Sequence, residues 1–325
     1  MSRYVVTGGA GFIGSNLVEA LLTQGHEVTV LDNFSTGKRE NLEPFMHLID
    51  LIEGDIRDLE TCREAASGAD YILHQAALGS VPRSVEDPLT THLNNVNGTL
   101  NMLIAARDAG VKKIVLACSS SAYGNAKEAV KKETLPPAPL SPYAVSKLAA
   151  EQYAAVFYGV YGLPAVCLRY FNVFGPKQDP LSQYAAVIPR FVTKLLRREK
   201  PEIYGDGEQS RDFTYIDNVV AANLLACAAG EEANGKVFNI ACGEQISLRR
   251  LYRACCDMIG TDIEPAYMEA RKGDVEHSLA DVSEAKRLLG YEPKVGFEEG
   301  LRQTIGWYAR RHQEGVAAFK AEAAV

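Results

Sequence analysis

The chain has no excess of positive charge. Its 34 Lys and Arg stand against 41 Asp and Glu, a net charge of −7 over 325 residues with His neutral, at a sequence pI near 5.5. Nucleic acids and anionic membranes need a basic footprint, so neither is expected as the main partner. The short basic runs at Lys131-Lys132 and residues 194–200 read as solvated faces. No apolar run approaches the ~20 residues that cross a bilayer, and no signal-type segment precedes the first apolar run, Tyr4-Val5-Val6. The seven cysteines show no metal-ligand spacing. They are expected to be reduced, mostly buried thiols of a cytoplasmic protein without a structural metal. Internal repeats and low-complexity linkers are absent as well. The composition, 47% hydrophobic and 23% charged, is that of an ordinary globular protein with one large or two coupled domains.

The first half alternates short β-rich runs with amphipathic stretches. Strands are expected at Tyr4–Thr7, Glu27–Leu31, Leu48–Glu53, Tyr71–His74, Lys113–Ala117 and Ala165–Arg169, and helices at Phe12–Thr23, Val96–Ala109 and Ser141–Tyr158. This order predicts an α/β fold, a Rossmann-type doubly wound parallel sheet with strands buried on both faces. After Phe171 prolines punctuate shorter elements, and Val237–Ile240 reads as a further buried strand. The expected division is a dinucleotide-binding domain over residues 1–175, to which the chain returns around 213–242, and a smaller, mostly helical substrate domain over 176–325.

Gly8-Gly9-Ala10-Gly11-Phe12-Ile13-Gly14 follows the first strand and opens the first helix. Glycines at 8, 11 and 14 permit a tight turn and let backbone N–H groups approach a pyrophosphate at the helix N-terminus. Asp32 closes the second strand about twenty residues on, where a carboxylate accepts from both ribose hydroxyls. Its charge favours NAD over NADP, although Lys38 and Arg39 nearby keep NADP open. Asp55 and Ile56, after the third strand, are placed for an adenine contact. Gln75, Ala76 and Ala77, after the fourth, are placed to flank a cofactor, and His74 reads as a structural histidine.

Ser141-Pro142 has the form of an N-cap followed by a first helical proline, so Tyr143 and Lys147 lie on one face of the first turns. A fixed positive charge beside a phenol, whose free pKa is about 10, favours the phenolate and makes a base of it. Taken alone, Tyr-x-x-x-Lys is more often a core tyrosine with a solvated lysine.

The glycine turn, Ala76-Ala77, Asn95-Val96-Asn97-Gly98-Thr99, Ser119-Ser120-Ser121-Ala122-Tyr123-Gly124, Tyr143-x-x-x-Lys147 and Arg169-Tyr170-Phe171-Asn172 occur in that order. Together they resemble the extended short-chain dehydrogenase/reductases acting on nucleotide sugars. The chain most resembles the UDP-hexose 4-epimerases, and residues 77–84 resemble the branch accepting UDP-N-acetylglucosamine. The resemblance implies tightly bound NAD held by Gly8, Gly11, Phe12, Ile13, Asp32, Asn33, Ser35, Thr36, Gly37, Asp55, Ile56, Gln75, Ala76, Ala77, Asn95, Tyr143, Lys147 and Tyr170. It implies a UDP-sugar held by Ser80, Val81, Ser119, Ser121, Asn172, Val187, Ile188, Phe191, Tyr204, Gln209, Arg211, Arg271, Asp274 and Ser278. Tyr143 would act as base, Lys147 would hold the nicotinamide ribose, and Ser119, with Ser120 as the alternative register, would shuttle or orient the proton. A homodimer through the helices at 96–109 and 141–158 is a family habit.

Sister enzymes differ at the serines. The 4,6-dehydratases carry Asp-Glu where Ser120-Ser121 stand, and UDP-glucuronate decarboxylases carry Glu where Ser121 stands. Without those acids, oxidation and re-reduction of the sugar is the expected reaction. Ser278 matches a position where a bulky Tyr would block a 2-acetamido group, so both UDP-GlcNAc/UDP-GalNAc and UDP-Glc/UDP-Gal are expected substrates. A nucleotide-sugar-binding scaffold that keeps the fold without turnover is the alternative from another class.

Overall fold

The computed structural model describes residues 1–180, 186–269 and 277–322. The N-terminal half runs β1 (Arg3–Thr7), α1 (Phe12–Thr23), β2 (Glu27–Asp32), β3 (Ile49–Glu53), α2 (Leu59–Ala66), β4 (Tyr71–His74), α3 (Val81–Glu86), α4 (Pro88–His92), α5 (Gly98–Ala109), β5 (Lys113–Ser119), α6 (Pro142–Tyr161) and β6 (Ala165–Tyr170). Beyond it come β7 (Val173–Phe174), α7 (Val187–Leu196), β8 (Glu202–Tyr204), β9 (Ser210–Arg211), β10 (Thr214–Tyr215), α8 (Ile216–Ala228), β11 (Lys236–Ile240), β12 (Ile246–Ser247), α9 (Leu248–Ile259), β13 (Ala266–Met268), α10 (Ser283–Leu289) and α11 (Phe297–Glu322). Seven strands form one parallel sheet in the order β11-β6-β5-β4-β1-β2-β3. This is the Rossmann-type doubly wound arrangement, and its strand order reverses between β4 and β1.

Successive strand residues point to opposite faces, and the apolar side chains divide accordingly. Val6, Val30, Leu73 and Val115 pack with Leu17 and Leu21 of α1 and Val219 and Ala222 of α8. Val5, Leu31, Ile72 and Leu116 pack with Cys62 of α2, Met102 and Ala106 of α5 and Phe157 of α6. Burial on both faces explains the Val/Ile/Leu runs of the central strands. The edge strand β3 departs from that expectation: it pairs only with β2 and its residues stay half-buried or exposed. The strand expected at 237–240 joins the sheet as β11, beside β6.

The helix expected from Val96 begins two residues later. Residues Leu93–Asn97 form a wider π turn before α5. Asn95 is held there by its own side chain, which accepts from the Leu78 N–H at 2.8 Å and donates to the Leu78 carbonyl at 3.2 Å. Such local widening of a helix often accompanies a functional site. All seven cysteines are free thiols, five of them buried. No helix among the described residues is long and apolar enough to cross a membrane.

Candidate active site

A cleft of about 1030 Å³ opens along the C-terminal ends of the sheet strands, the place where doubly wound sheets bind ligands. Its floor at β1 is the glycine turn. Gly8 has φ +68, and a Cβ on Gly14 would fall 2.1 Å from the Gly8 carbonyl oxygen. Only bare backbone closes this turn. Gly11 caps α1 without any side-chain hydrogen bond, which leaves the first N–H groups of the helix facing the cleft. These are the features a pyrophosphate requires.

Asp32 is buried at 7% exposure. Its Oδ2 accepts from the Ala10 N–H at 2.9 Å and its Oδ1 from the Phe34 N–H at 2.8 Å. Burial pushes this carboxyl up and the two N–H groups oppose it. Each oxygen keeps a lone pair for a ribose hydroxyl. The two basic residues that left NADP open are engaged elsewhere. Lys38 pairs with Asp179 at 3.1 Å, while Arg39 pairs with Glu53 and lies over the Phe34 ring at 4.1 Å. The residues present therefore fit NAD.

At the other end, α6 starts as its sequence predicts: the Ser141 Oγ accepts from the Ala144 N–H at 3.1 Å, with Pro142 in the first turn. A cap of this kind contributes about 1 kcal/mol. Gly124 brings the preceding loop close. A Cβ there would fall 1.8 Å from the Ala138 carbonyl oxygen at φ +51, and the Ala138 N–H bonds the Ala122 carbonyl at 2.9 Å. Tyr143 consequently faces the end of β5 across the cleft. Ser119, the last residue of β5, caps the 3-10 turn Ser120–Tyr123 and accepts from the Ser121 N–H at 3.2 Å and the Ser121 hydroxyl at 2.9 Å. Burial raises the Tyr143 phenol and a hydrogen bond from Ser119 opposes the rise. Burial lowers the Lys147 ammonium, with Cys118, Cys167 and Glu151 opposing. The Lys147 Nζ donates to the Ala117 carbonyl at 2.8 Å. One turn further along α6, Glu151 forms a buried double hydrogen bond with Arg169 of β6, at 2.9 and 2.6 Å, which ties the helix to the sheet.

Most expected site residues meet in this cleft. Gly8, Gly11, Phe12, Ile13, Asp32, Asn33, Ser35, Thr36, Gly37, Ile56, Gln75, Ala76, Ala77, Val81, Ser119, Ser120, Ser121, Tyr143, Tyr170, Asn172, Arg211 and Ser278 line it. A second cavity of about 260 Å³ holds Val187, Ile188, Phe191, Tyr204 and Gln209, and shares Asn172, Val173 and Arg211 with the first. Asn172 sits at that junction with φ 36, and its side chain donates to the Asp212 carbonyl at 3.2 Å.

Four expected contacts are placed differently. Asp55 is not part of the wall: its carboxylate accepts from Arg57 and from Asn33 Nδ2, which holds it down at about 2. Asn95 is spent on Leu78 and on the Ser146 hydroxyl of α6, at 3.0 Å. Ser80 caps α3 by accepting from the Arg83 N–H at 3.1 Å. Lys147 is not part of the wall: its ammonium is spent on the Ala117 carbonyl. Arg271 and Asp274 lie outside the described residues.

The wall also contains residues the sequence did not single out as contacts, among them Gly79, Pro82, Asn94, Lys131 and Gln178. Lys131 arrives there through a bridge to Ala280, a pairing across about 150 positions that no local pattern announces. Asp212, buried completely, accepts from the Cys242, Gly243 and Ala280 N–H groups at 3.0 to 3.1 Å. It thereby staples the Arg211 loop to the segment carrying Ser278. No group of three or more metal-ligating side chains occurs among the described residues.

A family model described as the NAD dependent epimerase/dehydratase family matches residues 4–241. The UDP-glucose 4-epimerase of Mycolicibacterium smegmatis is 38% identical over 315 residues, covering 96% of this chain and 100% of the relative. A solved UDP-N-acetylglucosamine 4-epimerase from Methanobrevibacter ruminantium, in complex with UDP-N-acetylmuramic acid, is 42% identical at a TM-score of 0.91, covering 95% of this chain and 99% of that one. A dTDP-glucose 4,6-dehydratase from Streptomyces venezuelae, solved with NAD bound, is 35% identical at a TM-score of 0.88, covering 96% and 98%.

Proposed function

Because the chain belongs to the NAD dependent epimerase/dehydratase family, we propose that it is a UDP-hexose 4-epimerase working through a 4-keto sugar. One observation carries this reading. Among the described residues, Asp32 is the only carboxylate in the wall of the large cleft. It lies on β2, three strand spacings from Ser119 on β5, or roughly 14 Å. Among the described residues, the reacting end thus offers Tyr143, Ser119, Ser120 and Ser121 and no acid to eliminate water or guide a decarboxylation. Reversible oxidation is the chemistry that needs only a base.

Tyr143 takes the proton of the sugar 4-hydroxyl, and the hydrogen bond from Ser119 stabilises the phenolate. Lys147 keeps positive charge behind that phenolate. NAD, when bound, supplies the acceptor and later the donor of the C4 hydride. Arg211 and Asn172 hold the diphosphate, where a planar guanidinium binds bidentately. The smaller cavity, walled by Val187, Ile188 and Phe191 with Tyr204 and Gln209, takes the uridine. Ser278 leaves room for a 2-acetamido group, so both acetylated and plain hexose pairs are substrates.

The reading includes a homodimer in the cytoplasm. Seven free thiols support the compartment. Val145, Val156 and Val160 on the outer face of α6, at 54%, 53% and 68% exposure, support the interface, with half-buried Leu100 and Ile104 on α5 beside them. The deciding experiment incubates the protein with UDP-GlcNAc and with UDP-Gal, without added cofactor, and follows the sugars by NMR. The 4-epimer of each is expected. Release of stoichiometric NADH with an oxidised sugar, or a bound sugar that never turns over, would refute the epimerase reading.

A further inference from the structure

A serine hydroxyl carries one proton and two lone pairs. At Ser119 both lone pairs are occupied by a single neighbour: the Ser121 N–H at 3.2 Å and the Ser121 hydroxyl at 2.9 Å. The 3-10 turn makes this double approach possible, since residue 121 lies two positions past the cap. Ser119 is left with its proton alone to offer, and Ser119, Ser121 and Tyr143 all face the same cleft.

We propose that Ser121 is a positioning residue that fixes Ser119 as a one-way donor to Tyr143, so that the sugar proton passes directly to the Tyr143 oxygen. For Ser119 to accept that proton instead, Ser121 must first release it. Ser121, its own proton committed, can only accept from a sugar hydroxyl. This deepens the epimerase reading and rests on it for the sugar, but the hydrogen-bond order itself does not depend on turnover.

The test uses NAD-bound protein and the variants Ser121→Ala, Ser121→Gly and Ser121→Thr, with Tyr143→Phe as the spectroscopic reference. Ultraviolet difference titration follows the Tyr143 phenolate, and the pH profile of epimerisation is recorded in parallel. Without the Ser121 hydroxyl, Ser119 has a free lone pair and can accept from the neutral phenol. The phenolate midpoint is then expected to rise by about half to one pH unit in Ser121→Ala and Ser121→Gly. Turnover on the acid limb falls about three- to tenfold in parallel, and Ser121→Thr restores both. An unchanged midpoint in the two hydroxyl-free variants, or a threonine that fails to restore it, overturns the proposal. A wild type that turns over no UDP-hexose would sink the function proposed above, while the titration still decides the role of Ser121.

Discussion

His74 is buried at the end of β4, one residue before the cleft wall, and its hydrogen bonds form an ordered chain. Thr99 donates its proton to the Asn95 carbonyl at 2.6 Å, so at 3.1 Å it can only accept from His74 Nε2. Nδ1 must then accept from the Thr7 hydroxyl at 2.8 Å, whose oxygen accepts from the Ala76 N–H at 3.2 Å. A second ring proton would point Nδ1–H at the Thr7 hydroxyl proton. Burial, aided by the Lys147 charge, accordingly holds the imidazole at about 3 against its ordinary 6.5. The folded state therefore binds fewer protons than the unfolded chain below pH 6.5. The stability this provides is complete above 6.5 and is lost as pH falls toward 3. Between pH 7 and pH 5 the loss from His74 is about 2 kcal/mol. Asp212, raised by burial to about 6 from 3.8, acts in the opposite sense, since its contribution is lost as pH rises through that range. It offsets about 1.4 kcal/mol over the same interval. The wild-type profile alone therefore does not isolate the histidine. Urea unfolding of wild type and His74→Gln at pH 7, 6 and 5, at fixed ionic strength, isolates the histidine. The wild type is expected to lose about 2 kcal/mol more than the variant, because Asp212 cancels in the difference. Equal losses in both proteins would show that His74 is protonated in the fold and would refute the ordered chain.

Three other outcomes are expected. Ser278→Tyr should cut turnover of the acetylated sugar pair at least tenfold, about 1.4 kcal/mol, and leave UDP-Glc/UDP-Gal within about threefold; equal effects on both pairs would exclude Ser278 as the gate. Asp212→Asn turns an amide N–H toward backbone donors that now meet a carboxylate, at a cost of about 3 kcal/mol; thermal unfolding should fall by roughly 5–10 °C, and a shift under 2 °C, a bound set by the same scaling, would contradict the staple. Gly14→Ala sets a methyl against the Gly8 carbonyl; the protein should purify without NAD and lose the rise in melting temperature that added NAD gives, and undiminished NAD retention would count against the glycine turn as the pyrophosphate site.

What could be read along the chain was local. The glycine turn, the Ser141-Pro142 cap and the start of α1 at Phe12 follow from a few adjacent residues whose backbone demands are independent of the rest. The cavity wall beyond them depends on long-range pairing. Asn95 belongs to a motif expected at the cofactor, and its amide bonds Leu78, seventeen positions away, and Ser146, fifty-one positions away, partners that no local pattern announces. Asp55 follows β3 where an adenine contact is expected, and Arg57, two residues on, offers its carboxylate three donors at 2.7 to 3.0 Å. The serine register shows the limit most sharply. Three consecutive serines leave the register between Ser119 and Ser120 open in the sequence. In the fold Ser119 is the last residue of β5 and pairs with Tyr170 of β6, while Ser120 already belongs to the 3-10 turn. The strand holds Ser119 in place and the turn directs both donors of Ser121 at its oxygen. Which serine closes the strand and which open the turn is set by where β5 ends, and its pairing with β6, more than forty residues away, sets that end.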